Sequence, residues 1–267
     1  MPRQRLGQEW VNRVPEYILE CAKLTKKLNG LATPVTAIEQ LSFSVKRGEF
    51  FVIIGPSGCG KTTTLRVISG LEPPTHGEIL LNGIRVSKPS PDCGLIPQEI
   101  DLLPWLTAQG NVEFPLKLAG IKKNERERKA NEIINQVGLT NFAHLFPDEL
   151  SVGMQQRISL TRALVVEPQI ILMDEPFGAL DAQTRFLMQQ FLLNIWQKTH
   201  KTFVLVTHQI EEALLLADRI LVLTAHPGRS KKEIVVDLGR PRNQFSPEFI
   251  LLQKEIFDLL RDEVRFE

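Results

Sequence analysis

The chain is 267 residues long and 43% hydrophobic, enough for a real core in one large domain or two small ones. Its 32 basic and 31 acidic side chains nearly cancel, which puts a nucleic-acid binder at a disadvantage, while Cys21, Cys59 and Cys93 show no C-x-x-C pattern, which excludes a disulfide framework or a zinc site and fits a reducing cytoplasm. No apolar run approaches the ~18 residues that cross a bilayer, and the mixed charged and apolar N-terminus is no secretory signal, so any membrane role is expected to come through a partner.

Alternation in Ile18–Leu24 and, more cleanly, in Leu41–Val45 predicts two strands, joined by a turn-rich stretch containing Asn29-Gly30 and Thr33-Pro34. Lys46-Arg47-Gly48-Glu49 then turns the chain into the apolar run Phe50–Ile54. That run feeds Gly55-Pro56-Ser57-Gly58-Cys59-Gly60-Lys61-Thr62-Thr63, which matches the phosphate-loop pattern G-x-x-x-x-G-K-[ST], with a strand before it and a helical pattern (Leu65, Ile68) after it.

The residue types follow from the chemistry. Glycines let the backbone turn tightly and bring N–H groups within reach of phosphate oxygens that a Cβ would block. The helix opening near Gly60 aims its unpaired N–H groups and the positive end of its dipole at the same anion. Lys61 is expected to bridge the β- and γ-phosphates of a nucleotide, Thr62 to ligate Mg²⁺ through its hydroxyl, and Thr63 to add a donor near the α-phosphate.

Glu78–Leu81 followed by Asn82-Gly83 predicts a strand and a hairpin turn. From about Leu102 the pattern turns helical: Glu125–Val137 carries Ala130, Ile133, Ile134 and Val137 on one face, and Gly153–Val166 is a second helix. Ile170–Met173 is an apolar run of the kind buried in a parallel sheet, and it ends in Asp174-Glu175-Pro176. A helix (Thr184–Lys198), the strand Phe203–Val206 ending at His208, a helix (Ile210–Ala217) and the strand Arg219–Leu223 follow. Such alternation implies right-handed crossovers and a ligand at the carboxyl ends of parallel strands, where the phosphate loop, Asp174-Glu175 and His208 should meet. Ser246 as N-cap, Pro247 and the spacing of Phe249, Leu252, Ile256 and Leu260 predict a C-terminal amphipathic helix packed on the body.

Leu150-Ser151-Val152-Gly153-Met154-Gln155-Gln156-Arg157 opens the second inserted helix. Alone it reads either as an ordinary capped helix or as a second anion-binding helix end, serving the same nucleotide from a facing chain. With it, the chain resembles the ATP-binding cassette family, the nucleotide-binding subunits of ABC transporters, over roughly residues 17–240. Leu150–Arg157 is similar to the family signature, Ile170–Glu175 to its Walker B strand, Ala179-Leu180-Asp181 to its D-loop, Gln98 to its Q-loop glutamine and His208 to its switch histidine.

The resemblance implies an α/β P-loop NTPase: a RecA-like, mostly parallel sheet core with an N-terminal antiparallel β subdomain and an inserted α-helical subdomain. Residues 1–98 would hold the β subdomain and the first part of the core, 99–166 the helical subdomain, 167–240 the rest of the core and 241–267 the terminal helix. It also implies ATP and Mg²⁺. Asp174 would hold the metal through water, Glu175 would act as general base, Gln98 would contact metal and water, and His208 would hydrogen-bond the γ-phosphate. Ser151 and Gly153 would complete the site of a second nucleotide-binding subunit, identical or paralogous, in a head-to-tail dimer, with Asp181 coupling the two sites. Leu28 stands where the family usually carries an adenine-stacking aromatic, and Tyr17 lies too early to replace it.

A narrower resemblance, to the nitrate/sulfonate/taurine branch of importers, rests on Leu102–Thr107, Thr224-Ala225-His226-Pro227-Gly228-Arg229 and Asp237-Leu238-Gly239-Arg240-Pro241-Arg242. It implies a peripheral subunit on the cytoplasmic face of the inner membrane. Permease subunits would dock near Gln98–Trp105, an extracytoplasmic binding protein would act indirectly, and no nucleic acid would be involved. An exporter ATPase, or a soluble ABC-type ATPase acting on DNA or ribosomes, is the alternative, although the chain shows neither a coiled-coil insertion nor a second cassette.

Overall fold

Residues 16–28, 34–178 and 180–263 are described in the computed structural model; the turn expected at Asn29-Gly30 and Thr33, and Ala179 of the expected D-loop, lie outside them. The first two strands run well past their expected cores, as β1 (Tyr17–Leu28) and β2 (Val35–Lys46). Register shifts beside Lys23 and Gln40, both at positive φ, carry the antiparallel pairing past the breaks in alternation. β3 (Phe50–Ile54) runs into the glycine-rich loop and α1 (Lys61–Ile68). β4 (His76–Leu81) and β5 (Ile84–Arg85) flank the Asn82-Gly83 turn, whose two positive φ angles match the twist of a tight hairpin.

After β6 (Cys93–Ile96) come three helices: α2 (Ala108–Leu118), α3 (Lys123–Gln136) and α4 (Val152–Leu164). Strands and helices then alternate as β7 (Ile170–Asp174), α5 (Ala182–Thr199), β8 (Thr202–Thr207), α6 (Ile210–Leu216) and β9 (Arg219–Leu223). The antiparallel β10 (Ser230–Val235) and α7 (Pro247–Arg261) complete the described chain.

Two sheets result, one four-stranded in the order β2-β1-β4-β5 and one six-stranded in the order β10-β9-β3-β8-β7-β6. In the larger sheet β3 lies parallel to β8 and β9, and β7 parallel to β6 and β8. Its central strands β3, β7 and β8 are buried at every position because both faces are covered. Phe50, Val52 and Ile54 face α4 to α7, while Phe51 and Ile53 face α1 and the four-stranded sheet; β7, β8 and β9 repeat this alternation. Each fully buried Ile or Phe there contributes about 2–3 kcal/mol. A third cluster, built on Val112, Leu116, Ala130, Ile134 and Ile158, holds α2, α3 and α4 together.

The Asp237–Arg242 segment is a structural fastener. Arg240 pairs with Asp218 at 2.6 Å and lies 4.5 Å over the Trp196 ring, and Arg242 donates to the carbonyls of Leu214, Ala217, Val236 and Leu238. A second fastener joins the two sheets. Arg219, at the start of β9, donates to both oxygens of the buried Glu49 (2.9 and 3.1 Å), to the Ser44 carbonyl and to Glu233, and stacks on Phe51. Arg219→Met would strand the Glu49 carboxylate, whose side chain is 6% exposed, and should lower stability by about 3 kcal/mol in urea unfolding; an unchanged midpoint would refute the fastener.

Candidate active site

The carboxyl ends of β3, β7 and β8 converge on one cavity of about 610 Å³. Its floor is the glycine loop. Gly58 and Gly60 sit at φ +77° and +95°, and a Cβ at Gly60 would come within 2.7 Å of the Ala37 carbonyl oxygen, so glycine is required by both conformation and space. Thr64 N–H closes onto the Gly60 carbonyl at 2.8 Å, which starts α1 and leaves the N–H groups of its first turn without helical partners, at residues that line the cavity.

Lys61, the first residue of α1, is 5% exposed. Its Nζ donates to the carbonyls of Gly55 (3.0 Å) and Pro56 (3.1 Å) and lies 3.5 Å from Glu175 Oε1. Thr62 Oγ1 donates to Asp174 Oδ1 at 3.0 Å, joining the helix start to the end of β7. Glu175, just beyond β7, takes φ +43°, held by its N–H on the Val206 carbonyl of β8. Its Oε2 is 2.8 Å from His208 Nδ1. Gln98, two residues past β6, faces the same cavity, as do Ser57, Thr63 and Leu28. Burial raises the Asp174 carboxyl above the usual range; the Thr62 hydrogen bond opposes this, and the neighbouring Glu175 adds to it.

The expected residues thus separate into two groups. Lys61, Thr62, Asp174, Gln98, Glu175 and His208 are brought together. Pro56 offers only its carbonyl to Lys61, and Gly55 packs under the loop, where a Cβ would meet Cys59 Sγ at 2.6 Å. Cys59 turns its side chain into the core beneath the loop, 1% exposed, and burial raises its thiol.

Ser151, Gly153 and Asp181 do not line this cavity. Ser151 caps α4, accepting from Met154 N–H at 3.4 Å, and a Cβ on Gly153 would meet the Thr184 methyl at 3.0 Å. Asp181 caps α5, and its hydrogen bonds, first to Thr184 and also to Gln183, hold its carboxyl below the usual range. Tyr17 sits at the far end of β1 from Leu28.

The donors fit a hard cation bound with a phosphate. Among the described residues no group of three or more His, Cys, Asp or Glu forms a cage, but Mg²⁺ is usually held by one or two protein oxygens plus phosphate and water, which the Thr62–Asp174 pair can supply.

Sequence reasoning missed several residues. Val35, Ala37 and His226 line the cavity, and only the Thr224–Arg229 motif hinted at the last of them. Arg185 donates to the Phe177 and Leu180 carbonyls and to Gln209 Oε1, binding the Asp181 turn to the residue beside His208. Asn111, fully buried on α2, donates to the Leu103, Leu106 and Thr107 carbonyls and accepts from Leu103 N–H, while Arg162 of α4 grips Asp101. Together they fix the loop that carries Trp105, which is 69% exposed.

The sequence pattern of the ABC transporter family matches residues 38–178. The chain is 48% identical over 246 residues to an uncharacterized ABC transporter ATP-binding protein of Methanocaldococcus jannaschii, covering 92% of each. It is 41% identical over 252 residues to the nitrate import ATP-binding protein NrtD of Synechocystis, covering 91% of this chain and 95% of that one. Against the taurine import ATP-binding protein TauB of Yersinia pestis it is 43% identical over 228 residues, covering 82% and 89%. A solved dimeric ATP-binding cassette in a post-hydrolysis state bound to ADP and Pi superposes with a TM-score of 0.72 at 33% identity, covering 82% of this chain and 98% of that one. The chain belongs to the ABC transporter family and carries that family's ATPase cassette.

Proposed function

We propose that the chain is the ATP-hydrolysing subunit of an ABC importer for a small anion such as nitrate, a sulfonate, taurine or bicarbonate. The observation that carries the reading is the meeting of Lys61, the Thr62–Asp174 pair, Gln98, Glu175 and His208 around one cavity. The triphosphate would lie along the loop N–H groups, with Lys61 leaving the Gly55 and Pro56 carbonyls for the β- and γ-phosphates. Thr62 and Gln98 would hold Mg²⁺ directly and Asp174 through water, the metal supplying charge neutralisation on the phosphates.

Glu175 takes a proton from a water whose oxygen bonds to the γ-phosphorus as the bridging bond to the β-phosphate breaks, giving ADP and phosphate. His208, 2.8 Å from Glu175, orients that carboxylate and the γ-phosphate. Most of the catalysis is positioning, so a site split between two surfaces is switched by bringing them together. Ser151 and Gly153, at a helix start outside this chain's cavity, are suited to close the site of a second copy or paralogue, with Asp181 between the two. The import assignment is supported by the likeness to nitrate and taurine import proteins. No helix among the described residues is long and apolar enough to cross a membrane, so permease subunits would supply the path. Their contact would be the segment Gln98–Trp105, on the cytoplasmic face of the inner membrane.

Glu175→Gln should still bind ATP while hydrolysing it at least about 100-fold more slowly, and should accumulate as a closed dimer in gel filtration; near-normal turnover would reject Glu175 as the base. Lys61→Ala should lose nucleotide binding in equilibrium titration, and wild-type affinity would count against the whole site. Asn111→Ala should release the Trp105 loop, leaving ATP affinity unchanged but reducing recovery of a multispan permease when the tagged subunit is purified from its native membranes in mild detergent. Ribosomal or DNA-associated proteins recovered in place of a permease would discard the transport role.

A further inference from the structure

The cavity has two ends. Lys61, Thr62, Glu175 and His208 mark the phosphate end. Leu28 and Val35, from the facing ends of β1 and β2, mark the other with aliphatic side chains, and Ala37 lies between the two ends with its carbonyl against Gly60. A nucleoside leaving the glycine loop toward that second end meets Leu28, which is 38% exposed and offers no ring to stack on.

The loop after β9 is fastened between the two ends, to Ala37 and against the phosphate loop. Gly228 N–H donates to the Ala37 carbonyl at 2.9 Å and Glu39 N–H to the Gly228 carbonyl at 3.0 Å, while Arg229 pairs with Glu39. A Cβ at Gly228 would collide with the Cys59 carbonyl, so the loop lies directly on the phosphate loop. Thr224 Oγ1 braces it from within, donating to the Pro227 carbonyl at 2.8 Å and accepting from Arg229 N–H at 2.9 Å. Glu263, beyond α7, accepts from Ala225 N–H at 2.8 Å and pairs with Lys231 at 2.6 Å. The product of this bracing is one side chain in the cavity. His226 is exposed there, and its Nε2 would stand 3.0 Å from a Cβ on Gly58, so glycine at 58 is what admits the imidazole. Among the described residues lining the cavity, His208 and His226 carry the only rings, and His208 is engaged with Glu175.

We propose that His226 is a nucleotide-recognition residue whose imidazole face packs on the nucleoside of the bound triphosphate, supplying the ring contact that Leu28 does not. The proposal rests on the reading of this cavity as an ATP site, and it makes the Thr224–Arg229 loop part of the binding surface. A ring contact of this kind acts on the nucleoside and leaves the phosphates to the glycine loop.

Isothermal titration of the full chain with ATP and, separately, with inorganic tripolyphosphate tests it. His226→Ala should weaken ATP binding about fivefold and leave tripolyphosphate binding unchanged, the latter also showing that the variant is folded. His226→Phe, which keeps a ring and loses the ring nitrogens, should stay within about twofold of the wild type for ATP. Unchanged ATP affinity in His226→Ala would overturn the proposal, as would equal losses for ATP and tripolyphosphate, which would place the imidazole on the phosphates. A Phe variant as weak as the Ala variant would overturn the ring contact. A wild-type chain that bound neither probe would overturn the ATP reading itself, and this proposal with it.

Discussion

The structure depends on how one buried ammonium is surrounded. Lys61 is 5% exposed at the edge of an apolar sheet, a place where an unpaired charge would cost several kcal/mol. Two loop carbonyls and the Glu175 carboxylate surround it, and each of these is positioned by other parts of the fold. The carbonyls need the tight turn that Gly58 and Gly60 allow, and Glu175 needs its positive φ, which the Val206 carbonyl of β8 secures. The ammonium therefore requires three neighbouring parallel strands in correct register, and the sheet in turn is specified by its two apolar faces. Placing a polyphosphate beside this lysine exchanges neutral carbonyl partners for charged ones, the stronger class of hydrogen bond.

The same logic explains why polar side chains reappear at the margins of the sheet. Glu49 and Arg219 are paired where the four-stranded and six-stranded sheets meet, and Arg240 and Arg242 tie the chain after β10 to the strand and helix it crosses. Apolar packing alone is non-directional and would hold the two sheets against each other in more than one way. The directional bonds select one arrangement. That matters at the site, because Ala37 of one sheet and Gly60 of the loop approach so closely that a small slip would close or open the nucleoside end.

How far the sequence foretold this follows from the reach of each signal. Strands β3, β7 and β8 were legible as unbroken apolar runs because both faces are buried, and the β4–β5 hairpin because Asn82-Gly83 is among the few pairs that accept two positive φ angles. Helix α2 escaped notice: Gly110 and Pro115 interrupt its pattern, and its buried Asn111 looks polar although it bonds to four backbone groups. Strand β10 escaped as well, since Ser230-Lys231-Lys232-Glu233 is the charged composition of an exposed edge. Within the site, the glycine loop and the strand-end carboxylates are local patterns. His226 is not, because nothing within its own neighbourhood says that residue 226 will lie on residue 58. That contact is created by sheet order, which places β9 next to β3.

The residues outside the cavity complete the mechanical argument. Asp181 caps α5 through Gln183 and Thr184, and Thr184 also supplies the methyl that Gly153 packs against. One helical turn therefore carries both the Asp181 turn and the methyl surface beside Gly153. Arg185, four residues on, grips the Leu180 carbonyl on one side and Gln209, the neighbour of His208, on the other. In the proposed head-to-tail dimer, a force applied to the Asp181 turn by a facing subunit would have a short path through side chains that are already engaged: from the turn to Arg185, to Gln209, and so to the imidazole beside Glu175. The reverse path would be equally short, from a γ-phosphate pulling on His208 to the surface that the proposed dimer presents to its second subunit. Coupling of this kind must be reciprocal in free energy. If meeting of two subunits draws His208 toward its working position, then by the same coupling a bound nucleotide favours their meeting.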